Sequence, residues 1–486
     1  MPEPTSEPTS EPTTVPSSAP DPGPTTEPIT GPTQPPVPPS GPLPAGRRRY
    51  AVVGTGHRAS MYIDALIGTH APDGEIVAWV EPNPVRAAAY EARVAAALGG
   101  TRPVYGPDDL EKAIAEQSVD RVIVTSVDRT HGELVARALR AGADVVVEKP
   151  LAAHPEQARQ IVDAVAETGR DLVTTFNYRY SPRNSALREV IASGEIGRVL
   201  SVHFDWALDT VHGADYFRRW HREKVNNGGL LVHKSSHHFD LVNWWIDGVP
   251  QRVFATGGRR FYGVDGAHET DYVPTGTERA LNERGIDPWE LDVDGNEWLS
   301  TLYGPEAQAV DGYVRNRSVF DAGITTEDTL GLVVEYQDGA LLTYSLTAHA
   351  PWEGYRVVVN GTRGRAELEV VERGSVEFGG NGAAILDPSA TEVFEQDTVR
   401  PIGERLVVQR HWERAEERAI VRGGGGHGGG DALLLAGVFA PAAEPDPLGR
   451  VAGYVDGVRA SSVGYAGNRS LETGDPVRIA DLDLGI

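Results

Sequence analysis

The chain has 486 residues, no cysteine and a formal net charge of −24. That length can hold two or three domains with sizeable cores. Lack of cysteine excludes disulfides, thiolate metal sites and a thiol nucleophile, and the acidic balance argues against nucleic acid or anionic membrane partners.

Residues 1–46 carry five acids, no Lys or Arg, and 16 of the 35 prolines in Glu-Pro-Thr-Ser-like repeats. With almost nothing apolar to bury, this tail is expected to be disordered and partly polyproline II. It lacks the apolar h-region of a secretory signal, and no run approaches the ~20 apolar residues that span a bilayer. A cytoplasmic location without membrane attachment is the expectation.

From Tyr50 the pattern alternates. Strands are predicted over Tyr50–Gly54, Glu75–Val80, Arg121–Thr125, Val145–Val147 and Asp171–Thr175. Helices are predicted between them over His57–Gly68, Pro84–Leu98, Leu110–Glu116, Gly132–Ala141 and Pro155–Thr168. Such alternation implies a parallel, doubly wound sheet over residues 47–175.

After Phe176 the texture changes. A helix over Ser185–Ser193 precedes strands at Val199–Trp206, Arg252–Thr256, Leu330–Tyr336, Ala340–Ser345, Tyr355–Asn360 and Ala366–Val371. Asp338-Gly339 marks a tight hairpin. Residues 176–486 are therefore expected to be α+β on an open, mainly antiparallel sheet, closed by helices over Ala432–Phe439 and Leu448–Gly467. Residues 258–328 are polar and show little periodicity, as a long insertion would. Gly423–Gly430 is a glycine-rich loop broken by His427.

Gly54-Thr55-Gly56-His57-Arg58-Ala59 follows the first strand and opens the first helix. The first glycine permits the tight turn, the second lets a pyrophosphate approach the backbone, and the small third residue lets the helix pack closely. Helix amides would face the phosphates. Glu81 ends the second strand, where a carboxylate accepts hydrogen bonds from the adenosine ribose and repels a 2′-phosphate. NAD is expected over NADP, although Arg86 stands close by.

Lysine occurs four times, against 41 arginines. One of the four is Lys149, in Glu148-Lys149-Pro150 at the end of the fourth long strand. An ammonium is compact and its pKa is tunable, unlike a guanidinium, and strand carboxyl ends face the ligand crevice of an open α/β sheet. A second cluster runs from Gly228 to Trp245 and holds His233, Lys234, Ser235, Ser236, His237, His238 and Asp240. If helical from about His233, it sets His233 and His237 on one face, as it does Ser236 and Asp240. An imidazole there can take a hydroxyl proton as hydride leaves the same carbon. His-x-x-x-His without the accompanying glutamate is a poor zinc site, so no metal is expected.

Together these residues resemble the Gfo/Idh/MocA oxidoreductases over about residues 50–475. The resemblance rests on the GxGxxA turn, Thr130-His131, Glu148-Lys149-Pro150, the Phe176-to-Pro182 segment, the Gly-Gly-x-Leu…His…Asp segment and Ser470-to-Gly474. It implies a Rossmann domain in which Gly54, Gly56, His57, Arg58, Ala59, Glu81, Thr125, His131, Glu148 and Lys149 bind NAD. It also implies Lys149 beside the reacting oxygen and His237 as acid/base. The family usually has an aspartate four residues before that histidine; here the position is His233, counted as a third catalytic candidate.

For the substrate, Arg179, Tyr216, Trp220, Lys234, His237 and His427 are the candidates. The resemblance suggests a pocket where Asp205, Trp206, His212, Asp215, Arg218, Arg219, His221 and Arg222 join them, since sugars stack on aromatic faces and hydrogen-bond at their rims; His427 and Trp352-Glu353-Gly354-Tyr355 are the weaker candidates. The expected activity is NAD-dependent oxidation of a sugar, cyclitol or glycoside hydroxyl, in a homodimer or homotetramer. Two alternatives stay open: an NAD-dependent glycosidase using transient ring oxidation, and a non-catalytic NAD-binding regulator.

Overall fold

The structure, a computed structural model, describes residues 46–267, 289–376, 399–421, 429–442 and 444–486. The expected disordered tail up to residue 45 and His427 lie outside the described residues.

The first half runs β1 (Arg48–Val53), α1 (Ala59–Ile67), β2 (Gly74–Val80), α2 (Pro84–Leu98), β3 (Val104–Tyr105), α3 (Leu110–Glu116), β4 (Arg121–Val124), α4 (His131–Arg140), β5 (Asp144–Val147), α5 (Pro155–Thr168) and β6 (Leu172–Thr174). The strands order as β6-β5-β4-β1-β2-β3 and are parallel at every junction. The β1, β4 and β5 strands are buried along almost their whole length, which is why each ends in an unbroken apolar run (residues 50–53, 122–124 and 145–147) rather than an alternating one. Chain order reverses between β1 and β4, so a crevice opens at their carboxyl ends. Helix starts are set locally: the Asn83 side chain caps the Val85 amide and Pro84 occupies the first turn of α2.

The second half comprises α6 (Pro182–Ala192), β7 (Val199–Asp209), α7 (Thr210–Arg218), α8 (Lys224–Asn227), α9 (Leu230–His233), α10 (Ser235–Ile246), β8 (Pro250–Gly258), α11 (Gly263–Ala267), α12 (Glu297–Tyr303), α13 (Pro305–Asp311), β9 (Thr329–Tyr336), β10 (Leu341–Ala350), β11 (Glu353–Gly361), β12 (Gly364–Arg373), β13 (Gly403–Arg410), β14 (Glu416–Arg418), α14 (Gly430–Phe439), β15 (Ala452–Gly453), α15 (Tyr454–Thr473) and β16 (Val477–Arg478). Nine strands form a second sheet in the order β14-β13-β12-β11-β7-β10-β9-β8-β16. It is antiparallel except where β7 lies parallel to β10. No hairpin ties those two together, so nothing forces opposite directions. The predicted hairpin at Asp338-Gly339 joins β9 to β10, with Gly339 at φ +85°.

Phe204, Trp206, Leu342, Val357 and Leu368 point to one face of this sheet and pack with Leu187 of α6, Phe239 of α10 and Val463 of α15. The opposite face exposes His203, Asp205 and Thr343. The short β15 adds antiparallel to β6, so the first sheet is completed by residues far beyond 175.

The described part of the segment expected to be a long insertion is not without regular structure. It contains α11, α12 and α13, and Leu291, Leu299, Leu302 and Tyr303 pack into the same core cluster as Tyr50, Trp79 and Tyr90 of the first half. Seven-residue helices hold too few turns for periodicity to register, and their partner surface lies far away in sequence.

Candidate active site

The crevice at the β1/β4 switch point opens into a cavity of about 730 Å³, within the range of small-molecule sites. Gly54, at φ +85°, begins the turn after β1. A Cβ there would stand 2.7 Å from the Cα and N of Ser126, so only glycine fits. Thr125 supports the turn by donating from Oγ1 to the Gly54 carbonyl at 2.6 Å. Ala59 is fully buried at the start of α1 and does not face the cavity; its small side chain serves packing. Glu81 accepts hydrogen bonds from the Thr55 amide at 2.7 Å and the Asn83 amide at 2.9 Å. The glycine cradle, the helix start and this strand-end carboxylate fit a dinucleotide: Gly54, Gly56, His57, Arg58 and Glu81 would hold it, and it would supply a hydride acceptor or donor.

Glu148 follows β5. One oxygen accepts from Arg58 Nε at 2.6 Å and Tyr62 Oη at 2.8 Å, and the other takes the Lys149 amide at 3.2 Å. The Lys149–Pro150 peptide is cis. His131 Nδ1 lies 2.9 Å from the Pro150 carbonyl oxygen, bracing this turn from α4.

Lys149 Nζ lies 3.4 Å from His233 Nε2 and donates to the His233 carbonyl at 3.3 Å. On the far side of the His233 ring, Nδ1 is 2.5 Å from Asp128 Oδ2. Burial, reinforced by the nearby Lys149 and Arg219 charges, holds His233 well below the usual imidazole range. The neutral ring therefore donates from Nδ1 to the Asp128 carboxylate and accepts from Lys149 at Nε2. Burial also lowers Lys149 to about 8, against the Asp128 and Glu148 carboxylates, which raise it. An ammonium so poised can donate to an oxygen gaining negative charge. Asp128 escaped the sequence reading; its only signal was a position shortly after a strand end.

His237, on the first turn of α10, lines the same cavity. Its ring stacks on Tyr178 at 4.3 Å between centroids and 12° between planes. Lys234 donates to Tyr178 Oη at 3.0 Å and sits 4.9 Å over the Trp206 ring. Lys149, His233 and His237 all line this cavity.

Of the substrate candidates, Tyr216, Trp220, Lys234 and His237 line the cavity, with His212, Asp215, Arg219 and His221. Arg179 does not, and that expectation is corrected. It is 2 % exposed and grips Asp240 through Nε at 2.8 Å and Nη2 at 2.5 Å, with Asp456 3.1 Å away, so it ties α10 to α15 beneath the site. Asp205, Trp206, Arg218 and Arg222 likewise face away, Asp205 onto the open side of the sheet and the rest into the interior. Arg218, Arg219 and Arg315 surround Asp215 and hold its carboxyl well below the usual range despite burial.

The insertion contributes what sequence could not show. Tyr303 Oη accepts from the His57 amide at 2.8 Å, and Asn83 Nδ2 donates to the Ala307 carbonyl and to Asp311 Oδ2, both at 2.9 Å. Tyr303, Asp311, Tyr313 and Arg315 all line the cavity. The segment spans from the end of β2, across the glycine turn, to Asp215.

Residues 48–176 match the oxidoreductase family's NAD-binding Rossmann fold, and residues 188–402 match its C-terminal alpha/beta domain. YteT of Bacillus subtilis (strain 168), itself named as an oxidoreductase, is 33% identical over 446 residues, covering 87% of this chain and 95% of that protein. Inositol 2-dehydrogenase of Rubrobacter xylanophilus is 29% identical over 215 residues, 42% of this chain and 54% of its own length. Among solved structures, levoglucosan dehydrogenase in complex with NADH and L-sorbose superposes with a TM-score of 0.58 at 16% identity, covering 89% of this chain and 99% of that one. Aldose-aldose oxidoreductase from Caulobacter crescentus gives 0.56 at 16% identity, with the same coverage. With both halves matched and the dinucleotide crevice in place, the chain belongs to the Gfo/Idh/MocA family of oxidoreductases.

Proposed function

We propose that this protein oxidises a secondary hydroxyl of a sugar or cyclitol with NAD, using Lys149, His237 and His233 around the reacting carbon. The observation that carries the reading is the Asp128–His233–Lys149 chain ending in the cavity that His237 also lines. The names of relatives, inositol 2-dehydrogenases and levoglucosan dehydrogenase among them, supply the substrate class.

His237 removes the hydroxyl proton, its ring orientation fixed by the Tyr178 stack. Lys149 donates a hydrogen bond to the same oxygen as negative charge builds on it. His233 aims the ammonium, and Asp128 fixes the tautomer of His233. Bound NAD would supply the hydride acceptor. Tyr216 and Trp220 offer aromatic faces, and His212, held by Glu353 at 2.7 Å, offers a polar rim. Leu200, Phe254, Val333 and Leu341, part-exposed on the nine-stranded sheet, support association into a homodimer or homotetramer.

The test is purified protein with NAD and a panel of cyclitols, sugars and nitrophenyl glycosides, read at the NADH absorbance and for aglycone. NADH formation with at least one polyol, lost in Lys149→Ala, is expected. Aglycone release without net NADH would replace dehydrogenation by redox-cycling hydrolysis. Cofactor binding with no turnover across the panel would leave a regulatory NAD-binding protein.

A further inference from the structure

We infer that Asp311, delivered by the insertion, enforces selection of NAD over NADP by occupying the arginine that would otherwise receive a 2′-phosphate. This rests on the proposed NAD reading and adds a determinant that the β2 end alone does not contain.

In dinucleotide folds the acid at the end of the second strand binds the ribose hydroxyls, while an arginine nearby accommodates the 2′-phosphate. This chain has both: Glu81 and, five residues on, Arg86, whose Nη2 lies 3.3 Å from Glu81 Oε1. By local sequence the two give opposite instructions. The conflict is settled from more than two hundred residues away. Asp311, the last residue of α13, forms an ion pair with Arg86 and accepts from Asn83 Nδ2 at 2.9 Å. Asn83 also donates to the Ala307 carbonyl, so the α13 turn is pinned in register against the start of α2.

Glu81, Arg86 and Asp311 all line the cavity. Two carboxylates therefore share one guanidinium at the ribose end, leaving a net negative site. A phosphate placed there meets Asp311 at the arginine it needs, and must break that pair while desolvating beside two like charges. The neutral ribose diol of NAD meets no such barrier and can donate to either carboxylate.

NAD and NADP dissociation constants, measured by nicotinamide fluorescence on the full chain, test this in wild type, Asp311→Asn, Arg86→Ala and the double variant. Asparagine keeps the size and the Asn83 contact but removes the charge. Asp311→Asn is expected to improve NADP binding relative to NAD by about tenfold. The double variant should lose that gain, because the freed guanidinium is what binds the phosphate. Asp311→Ser provides the same readout should the asparagine variant fold poorly. An unchanged NADP-to-NAD ratio in a wild type that prefers NAD overturns the inference alone. A wild type that prefers NADP overturns the NAD reading as well.

Discussion

Asp128 Oδ2 stands 2.5 Å from His233 Nδ1, and the opposite nitrogen of that ring faces the Lys149 ammonium at 3.4 Å. A carboxylate four residues before His237 would act from within the same helical stretch. Here an imidazole holds that place and the carboxylate stands behind it, 105 residues away in sequence. The carboxyl group is retained but moved one ring back, where burial pushes it up against the pull of the Lys149 and Arg219 charges.

Asp128 is thus a positioning residue with an electrostatic signature. Asp128→Asn still accepts the His233 Nδ1–H, so geometry survives while the charge goes. Asp128 is the largest influence raising Lys149, so its loss lowers the Lys149 pKa further below about 8. The alkaline fall in kcat/KM should move to lower pH, with kcat at pH 7 down roughly tenfold, less than the ~10²–10⁴ supplied by a group that itself transfers the proton. A pH–rate profile checks this; an unmoved alkaline limb would mean that the pair is structural only.

Lys149 should act in its protonated form, because the charged ammonium stabilises the developing alkoxide far better than a neutral amine would. With a pKa depressed to about 8, the ammonium is full below that pH and vanishes above it. Activity should fall as pH rises through 8. Lys149→Ala should lose ~10²–10⁴ in kcat/KM while still binding NAD, and Lys149→Arg should push the alkaline limit upward, since guanidinium stays charged. Steady-state kinetics across pH 6–10, about two units either side of the lysine's midpoint, decide the matter.

Arg179 invites a contrasting experiment. Arg179→Met leaves Asp240, which burial already pushes up to about 7, without its cation. Stability should drop by about 3–5 kcal/mol, seen as a lower Tm, with KM for the sugar nearly unchanged in whatever fraction stays folded. A raised KM at unchanged Tm would return Arg179 to the substrate site.

Gly54→Ala probes the cofactor cradle. The added methyl would collide with the Ser126 backbone at a residue already at φ +85°. NAD binding should fail and stability should drop by ~1–3 kcal/mol. Wild-type NAD affinity in that variant, by fluorescence titration, would refute the role given to the turn.

Local chemistry made much of this molecule readable. The bounds of α2, α3 and α5 are those expected, because proline, glycine and apolar spacing act within a few residues. The Gly54 turn and the Glu148-Lys149 strand end announce themselves for the same reason: backbone sterics and strand periodicity are short-range. Arg179 misled because a buried arginine and a ligand-binding arginine look alike until their partners are known. Asp128, Tyr303 and Asp311 were silent, each being an ordinary residue in an unremarkable stretch.

What the amino-acid order settled alone was the parallel sheet, its crevice and the residue types available there, since each follows from interactions between neighbours along the chain. Folding decided which charge answers which: Asp128 for His233, Asp240 for Arg179, Asp311 for Arg86. Those pairings span 105, 61 and 225 residues. Electrostatic partnership depends on distance through space and on shared burial, neither of which a linear sequence records.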